Sequence, residues 1–557
     1  MLFSNSILFD LVIFTFSLAV AKLVLDRRSS HLATLRGPRS NNIFFGRIRE
    51  FLDDPATAVD RWVSEYGYVF KMPSVLGTNR IVISDPKAVA HVYANDSFGY
   101  QRLSSGKKFT RTFFGHSMLS ADGEDHRRLR RAAAPAFTNG ALRDTMNVFY
   151  DSVYKLKGAW DVLFESHDEV IIDVQQWYDP NSHRNINLML DSMGIAGFGH
   201  DFRSLDGHKS PVSEALDGLL EDSSFRVVLT VGVFFPQVLK LPLKRIKIIR
   251  RMQKAFTDIA KVLLENSQQE KEFSDVEKDR SILGLLLKGR SQNTNFKLLQ
   301  DEAVGQSHLS TNYHANMIVT VSLSVRPTIF LLLACTQTME KWALVELARH
   351  PEMQHKLRRE LLQFSGSDPT WDQIVTGTAC PYLDAVVNEA LRLHPPVQTL
   401  QRIADKDDVV PLSSPIKTSS GKMVDSIFIP KGTTVTTPFV YINRSEAFWG
   451  PNAKQFVPER WLEENPYPSK DFSGYRHLYT FSDGPRICLG KMFALAEFKA
   501  VLSVLIRNFT FELPSGPDTP IGIHKGVLPR PKLADEAGCV LRMRVRQATR
   551  EGEQSSQ

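Results

Sequence analysis

Cysteine is scarce in this chain, with only 4 among 557 residues. The four are far apart and form no CxxC pair, so neither a disulfide framework nor a zinc site is expected. An excess of one charge is also nearly absent, because 68 Lys and Arg against 61 Asp and Glu leave a net charge of +7. That excess suits a membrane surface or an acidic partner, but it is too weak to indicate a nucleic-acid partner.

Long apolar stretches are few, and the mean hydropathy of −0.19 excludes a polytopic membrane protein. Residues 7–25, near the N-terminus, are the clearest such run, and as a helix they are long enough to cross a bilayer. No Lys or Arg precedes the run, whereas Arg27, Arg28 and Arg36 follow it, which predicts a cytosolic body. We therefore expect a membrane anchor and hinge over residues 1–36; a cleaved signal peptide is the alternative.

The remaining sequence is mainly helical in its periodicity, with short strand patterns. Asp85-Pro86 is typical of a helix start, with Asp as the N-cap. A hairpin is predicted over 68–83, helices over 341–364, 382–393 and 492–508, and short strands at 409–410, 426–429 and 433–435. Because no linker divides the core, we predict a mainly α fold with a minor β subdomain, forming one domain over 37–545 with a polar tail over 546–557.

The most informative stretch is FSDGPRICLG, residues 481–490, in which one cysteine precedes an apolar helix. A thiolate binds metal far better than a thiol, and the free N–H groups of a helix N-terminus favour its negative charge. Cys488 without a nearby second ligand suits haem iron, because the macrocycle supplies the other four ligands. The alternative is a buried cysteine beside an ordinary turn.

The neighbours of Cys488 fit the same interpretation. Gly484 and Gly490 would let the backbone approach a flat cofactor closely. Arg486 can pair bidentately with a carboxylate such as a haem propionate. Phe481 could shield the sulfur and keep its surroundings apolar.

With its FxxGxRxCxG spacing, this stretch resembles the haem-binding loop of the cytochrome P450 haem-thiolate monooxygenases. Other motifs of that family occur in the expected order. Residues 389–392 (EALR) resemble its ExxR motif, residues 456–461 (FVPERW) its PERF-like segment, and residues 123–137 its C helix. Residues 195–202 and 62–67 look like those of fungal members, and the anchor is similar to that of a microsomal member.

The resemblance implies haem b (iron protoporphyrin IX), with Cys488 as the axial ligand. It implies insertion of one oxygen atom of O2 into a C–H or C=C bond, with electrons from an NADPH-cytochrome P450 reductase. The substrate would be a hydrophobic small molecule, such as a terpenoid or another fungal secondary metabolite. The chain would then reside in the endoplasmic reticulum membrane, in contact with lipid through a single span, with its catalytic domain in the cytosol.

Two further groups of residues are candidates for the site: a buried ion-pair network and a set of haem-propionate ligands. Glu389 and Arg392 are three apart and so share a helix face among apolar neighbours, which favours a buried pair over a solvated surface bridge. The resemblance implies that Arg460 is a third, structural member. It also implies that His126 and Arg130, four apart on one helix face, reach the haem propionates. Arg402 would be another propionate ligand.

Basic residues near these motifs could form a surface for an acidic reductase, although plain solubilising charge is an equal alternative. They are Arg127, Arg128, Arg131, Lys491 and Lys499.

The segment 303–341 departs from the family pattern. Counting back from Trp342, Ala334 occupies the place of the acid that would relay protons to oxygen, and Cys335 the place of the threonine. Thr336 or Thr338 could offer a catalytic hydroxyl, which the sequence does not assign; Thr336 is the weak candidate. Residues 306–333 make the segment longer than the family spacing. A retained intron, a genuine insertion and a second membrane-facing piece are all open explanations.

This departure leaves two further functional alternatives. A haem-thiolate isomerase or dehydratase would need no acid–threonine relay, and it would turn over without NADPH and O2. A chain whose helix is displaced at this segment would be inactive.

Overall fold

The computed structural model describes residues 34–42, 44–114, 116–175, 188–198, 334–463, 468–526 and 528–548, with residues 247, 251 and 254. The predicted anchor and residues 306–333 lie outside these ranges. Among the helices of the described part, none combines the length and apolarity needed to cross a bilayer.

The helices of the described ranges alternate with short loops and 3-10 turns. They are α1 (Ile48–Asp53), α2 (Pro55–Tyr66), α3 (Pro86–Ala94), α4 (Ser104–Phe114), α5 (Gly123–Ala133), α6 (Asn139–Arg143), α7 (Met146–Phe164), α8 (Leu188–Phe198), α9 (334–349), α10 (Pro351–Leu361), α11 (Trp371–Thr376), α12 (Pro381–Leu393), α13 (Phe439–Arg444), α14 (Glu446–Trp449) and α15 (Lys491–Asn508).

The strands of the same ranges are short. They are β1 (Val69–Pro73), β2 (Asn79–Ile83), β3 (Tyr100–Gln101), β4 (Glu169–Asp173), β5 (Leu400–Ala404), β6 (Asp408–Lys417), β7 (Met423–Ile429), β8 (Thr434–Thr437), β9 (Phe509–Glu512), β10 (Ile521–Lys525), β11 (Pro529–Leu533) and β12 (Arg542–Gln547). Helices with a few small sheets confirm the predicted mainly α fold with minor β.

The chain divides into two compact units. The first comprises Met1–Leu103, Gln398–Ala453 and Tyr467–Arg486, and the second comprises Ser104–Val397, Lys454–Pro466 and Ile487–Gln557. The boundary therefore falls inside the cysteine loop, between Arg486 and Ile487. The prediction of one continuous domain over 37–545 stays a prediction.

The first unit contains a five-stranded sheet of order β1-β2-β8-β5-β3 and the separate hairpin β6-β7. Strands β1 and β2 are antiparallel, with Phe70 opposite Val82, as the hairpin pattern predicts. Helix α3 begins as expected, because the Asp85 side chain accepts a hydrogen bond from the Ala88 N–H (3.0 Å) and Pro86 needs no partner at the first helical position.

The second unit is mainly helical and carries the sheets β4-β12-β9 and β10-β11. Strand β12 extends to Gln547, two residues into the predicted polar tail. Its Arg546 forms salt bridges with Glu169 and Glu512, which link β12 to β4 and to β9.

One predicted helix is wrong in its bounds. The pattern over 341–364 is divided in the structure into α9 and α10, with His350 in a non-helical conformation between them. Pro351 explains the break, because its ring disfavours helical geometry at the preceding residue. The predicted helices over 382–393 and 492–508 are confirmed as α12 and α15.

Candidate functional site

Cys488 lies in the second unit, two residues before Gly490, the N-cap of α15. The residue is exposed, yet burial of its thiol among protein atoms is the main influence on its pKa, which it raises above the ordinary value. The backbone N–H of Gly490 donates a hydrogen bond to the sulfur, and the positive charges of Arg130 and Lys491 act in the same pKa-lowering direction. An exposed cysteine whose thiol is surrounded by protein atoms is compatible with the role of a cofactor ligand.

In the protein alone, burial outweighs the three groups that favour the thiolate. The helix N-terminus therefore acts as the sequence predicts, but it does not by itself lower the pKa of Cys488. A bound metal cation would complete the deprotonation, because a coordinating thiol loses its proton.

Helix α5 brings Arg130 towards this sulfur. Arg130 is half-buried, and burial lowers its pKa while the charge of Cys488 raises it. His126, one turn earlier, is buried on the same helix. Leu489, next to Cys488, packs against a small apolar cluster that includes Leu129 of α5. The structure thus brings Arg130 to the cysteine, and the propionate roles of Arg130 and His126 stay predictions.

Arg402 and Arg486 meet in the first unit, on the fully buried carboxylate of Asp96. Arg402 binds it bidentately, with Nε to Oδ1 and Nη2 to Oδ2 both at 2.7 Å. Arg486 lies 3.5 Å from Oδ1 through its Nε and donates to the Ser97 hydroxyl at 3.1 Å. The sequence does not predict this role of Asp96, because nothing in its local pattern indicates two arginine partners. The propionate roles of both arginines stay predictions.

We expect the Asp96→Asn substitution to destabilise the fold by about 3–5 kcal/mol, because it leaves the buried guanidinium of Arg402 without its carboxylate. Urea unfolding of the purified full-length protein measures this. Asp405→Asn is the control, because Asp405 is exposed on the same unit. Equal unfolding free energies for the two variants would contradict the assigned role of Asp96.

Gly484 and Phe481 also belong to the first unit. Gly484 has a left-handed backbone (φ +64°), and a Cβ there would lie 2.2 Å from the Tyr93 carbonyl oxygen. Contact with the end of α3 thus requires glycine at this position, a reason that the cofactor interpretation did not include. Phe481 is buried and packs edge-on against Tyr475, with ring centroids 5.6 Å apart. Its predicted shielding of the sulfur stays a prediction.

Glu389 is the centre of a buried network in the second unit. Glu389 and Arg392 of α12 are fully buried and joined by two 2.8 Å hydrogen bonds. Arg460 donates to Glu389 Oε1 at 3.3 Å, so the structure brings together the three residues named from the sequence.

Sequence reasoning missed the other members of this network. The Trp461 indole N–H and the Val457 backbone N–H each donate to Glu389 at 2.9 Å. Arg392 also donates to the Gln455 carbonyl at 3.1 Å. Trp461 could have been found from its place beside Arg460, because a buried indole N–H needs an acceptor. The backbone donors carry no sequence signal.

The proposed basic surface requires one correction. Lys499 is buried, and its ammonium donates to Asp384 at 2.6 Å and to the Ile374 carbonyl at 2.8 Å. The prediction that it lies on a docking surface is therefore wrong. Arg131 is exposed, whereas Arg127 and Arg128 have their charges partly neutralised by Glu124 and Asp125.

Thr336 lies on α9 beside Cys335. Its side chain is fully buried. Burial raises the pKa of the neighbouring Cys335, and the charge of Cys488 raises it further. Thr338, the other hydroxyl of this turn, donates to the Ala334 carbonyl at 2.8 Å, which occupies its proton within the helix. The catalytic role of Thr336 stays a prediction.

The residues around Cys488 fit a haem. The donor set consists of the sulfur of one exposed cysteine, supported by a backbone N–H and by two cations. Among the described residues no group of three or more His, Cys, Asp or Glu side chains could hold a metal ion. One protein ligand suffices for iron whose remaining in-plane ligands come from a macrocycle.

Comparison with known proteins agrees with this geometry. The family model described as "Cytochrome P450" matches residues 36–535. Cytochrome P450 monooxygenase claP of Ampulloclitocybe clavipes is 43% identical over 551 residues, covering 96% of this chain and 98% of that protein. Cytochrome P450 monooxygenase claQ of the same organism is 44% identical to this chain over 539 residues, covering 95% of this chain and 96% of that protein. Cytochrome P450 monooxygenase 205 of Postia placenta is 30% identical over 536 residues, covering 92% and 93%.

Proposed function

The chain belongs to the cytochrome P450 monooxygenase family, and on this premise we propose that it hydroxylates or epoxidises a hydrophobic small molecule. A terpenoid or another fungal secondary metabolite is the substrate class we favour, because the relatives named above are fungal enzymes that match it over nearly their whole length. O2 supplies the inserted oxygen atom, and an NADPH-cytochrome P450 reductase supplies the electrons.

Cys488 is the observation that carries this proposal. The residue is exposed although its thiol is surrounded by protein, and Gly490, Arg130 and Lys491 all favour the ionised form of the sulfur. Haem b bound to this sulfur would supply the binding and reduction of O2, which no side chain can perform.

The chain's own residues would prepare this centre in three ways. Gly490, Arg130 and Lys491 would stabilise the negative charge of the Cys488 sulfur once it is bound to the cofactor. Leu489 fixes the loop against α5 through its apolar contacts. The Glu389 network joins the end of α12 to residues 455–461, which precede the cysteine loop in the chain.

The proposed partners, a reductase and a membrane, are inferred from the basic residues of the chain and from the apolar run at residues 7–25. The basic residues near α5 and the start of α15 would meet an acidic reductase, with an encounter rate that falls as salt rises. Arg131 and Lys491 are the best remaining candidates, since Lys499 is buried. Residues 7–25 would anchor the chain in the endoplasmic reticulum membrane with the catalytic part in the cytosol.

Reconstitution tests the proposal. Full-length protein in microsomes with an NADPH-cytochrome P450 reductase should convert candidate terpenoids to products carrying one oxygen atom from isotopically labelled O2. Omitting NADPH, O2 or the reductase should each abolish the product. Turnover without NADPH and O2 would instead support an isomerase or dehydratase, and a haem-loaded chain that turns over no candidate would contradict the substrate class.

A further inference from the structure

Ser97 has a backbone conformation that serine rarely adopts. Its φ of +83° lies in the left-handed region, where a Cβ is unfavourable and glycine is the usual residue. The residue is only 1% exposed, so contact with solvent does not explain a polar side chain at this position. Backbone strain of this kind persists only where the surrounding structure enforces it, and it is typical of functional positions.

The turn that contains Ser97 follows α3 and is fixed by hydrogen bonds of the backbone. The Asn95 carbonyl accepts from the N–H groups of Gly99 at 2.8 Å and Tyr100 at 3.1 Å, and the Ser97 N–H donates to the Tyr100 carbonyl at 2.7 Å. The side-chain amide of Asn95 donates to the His91 carbonyl at 2.9 Å, which attaches the turn to the last residues of α3. These bonds keep Ser97 at its positive φ.

The side chain of Ser97 contacts the cysteine loop through Arg486. The Arg486 Nη2 donates to the Ser97 hydroxyl oxygen at 3.1 Å, and the Arg486 side chain is only 6% exposed. Its Nε lies 3.5 Å from Oδ1 of Asp96, the residue before Ser97. Two consecutive residues of the turn thus offer a carboxylate oxygen and a hydroxyl oxygen to the same guanidinium.

Of these two contacts, only the one to Ser97 has the geometry of a hydrogen bond. The two oxygens of Asp96 are bound at 2.7 Å by Arg402, whose Nη1 donates to the Gln401 carbonyl at 3.0 Å. The 3.5 Å approach of Arg486 to Asp96 is longer than the usual 2.7–2.9 Å of a charge-assisted hydrogen bond. The carboxylate therefore primarily fixes Arg402, and the hydroxyl of Ser97 fixes the direction of the Arg486 guanidinium.

A second contact of the same kind lies two residues earlier in the cysteine loop. Gly484 lies against the carbonyl of Tyr93, near the end of α3, so closely that a Cβ would be 2.2 Å from the carbonyl oxygen. The end of α3 and the turn after it therefore form a seat for residues 484–486. Within this seat, Ser97 is the residue that contacts a charged side chain of the loop through its own side chain.

We propose that Ser97 is a positioning residue, whose hydroxyl holds the Arg486 guanidinium in the orientation in which it pairs with a carboxylate of the haem. The inference rests on the proposed function for the haem and for its contact with Arg486. Glycine at position 97 would relieve the strained φ but would provide no hydroxyl. Stability of the turn and retention of the cofactor therefore make opposite demands on this position, and the serine satisfies the second.

The rate of haem release from the full-length, haem-loaded protein to an excess of apomyoglobin tests this role. Ser97→Ala and Ser97→Gly should both release haem about tenfold faster than the unsubstituted protein, because each loses the hydrogen bond to a charged group. Ser97→Thr keeps the hydroxyl and should restore slow release. Ser84→Ala is the matched control, because Ser84 is a fully buried serine of the same unit whose hydroxyl donates to the Tyr68 carbonyl at 3.0 Å; its release rate should not change.

Urea unfolding of the same variants separates positioning from a merely structural role. Ser97→Gly should unfold at a higher urea concentration than Ser97→Ala, because a Cβ at positive φ destabilises the turn. Haem release should not follow this order, since both variants lack the hydroxyl equally. Release that is slower from Ser97→Gly than from Ser97→Ala, or unchanged in both, would overturn the proposal.

The variant Arg486→Gln separates this inference from the proposed function. It should release haem at least as fast as Ser97→Ala, and the double variant should be little faster than Arg486→Gln alone, because the hydroxyl acts through the guanidinium. Fully additive effects would overturn the positioning role. Fast release from Arg486→Gln with unchanged release from the Ser97 variants would overturn that role alone, whereas an unsubstituted chain that binds no haem would contradict the proposed function as well.

Discussion

Replacing Glu389 by alanine is expected to destabilise the second unit by about 3–5 kcal/mol and to prevent recovery of haem-loaded protein. The carboxylate accepts hydrogen bonds from Arg392, Arg460, the Trp461 indole and the Val457 backbone. Its removal leaves the fully buried guanidinium of Arg392 without its ionic partner, and leaves the indole and a backbone N–H without an acceptor.

Denaturant unfolding and the haem-to-protein ratio of the purified material measure the effect. Glu389→Gln should disturb the packing less, because glutamine has a similar volume. It should still lower the stability strongly, because it removes the negative charge. Glu463→Ala is the control, since Glu463 is exposed and lies shortly after the network. If Glu389→Ala unfolded like this control, the network would not hold the segment before the cysteine loop.

Replacing Cys488 by serine is expected to abolish monooxygenase activity and nearly all haem incorporation. The hydroxyl keeps a similar shape, but its oxygen does not ionise at neutral pH and is a poor ligand for haem iron. The Gly490 N–H, Arg130 and Lys491 would then face a neutral group instead of the charge they stabilise. The apoprotein should remain folded, because the site's other contacts, including Leu489 against α5, do not involve the sulfur.

Haem content, by the pyridine haemochrome assay, and circular dichroism separate loss of the ligand from loss of the fold. Cys539→Ser is the control, because Cys539 is a buried cysteine of the same unit that lies outside the loop. Equal haem content in the two variants would mean that Cys488 is not the ligand.

Much of the fold was predictable from local chemistry. The Asp85 cap, the hairpin of β1 and β2, and helices α12 and α15 each follow from residues adjacent in sequence. The bounds of α9 and α10 were missed, although Pro351 provided the signal, because the apolar periodicity continues across it. Caps, turns and apolar periodicity depend only on neighbouring residues, and here they were sufficient to predict most of these elements.

The candidate site was predictable only in part. The Glu389–Arg392 pair is local, and Arg460 entered through the family resemblance. Asp96, in contrast, lies 306 residues from Arg402, and no sequence pattern connects them. The burial of Lys499 depends on Asp384 and the Ile374 carbonyl, both of which tertiary packing brings to it.

The reduced carbon monoxide spectrum of the purified full-length protein tests the central claim most directly, because the position of the Soret band reports the ligand opposite the bound gas. A thiolate from Cys488 predicts the red-shifted band typical of the family, and it predicts that this band is absent in Cys488→Ser. A haem-loaded protein that shows only the unshifted band while fully folded, or a Cys488→Ser variant that keeps the red-shifted one, would contradict the account.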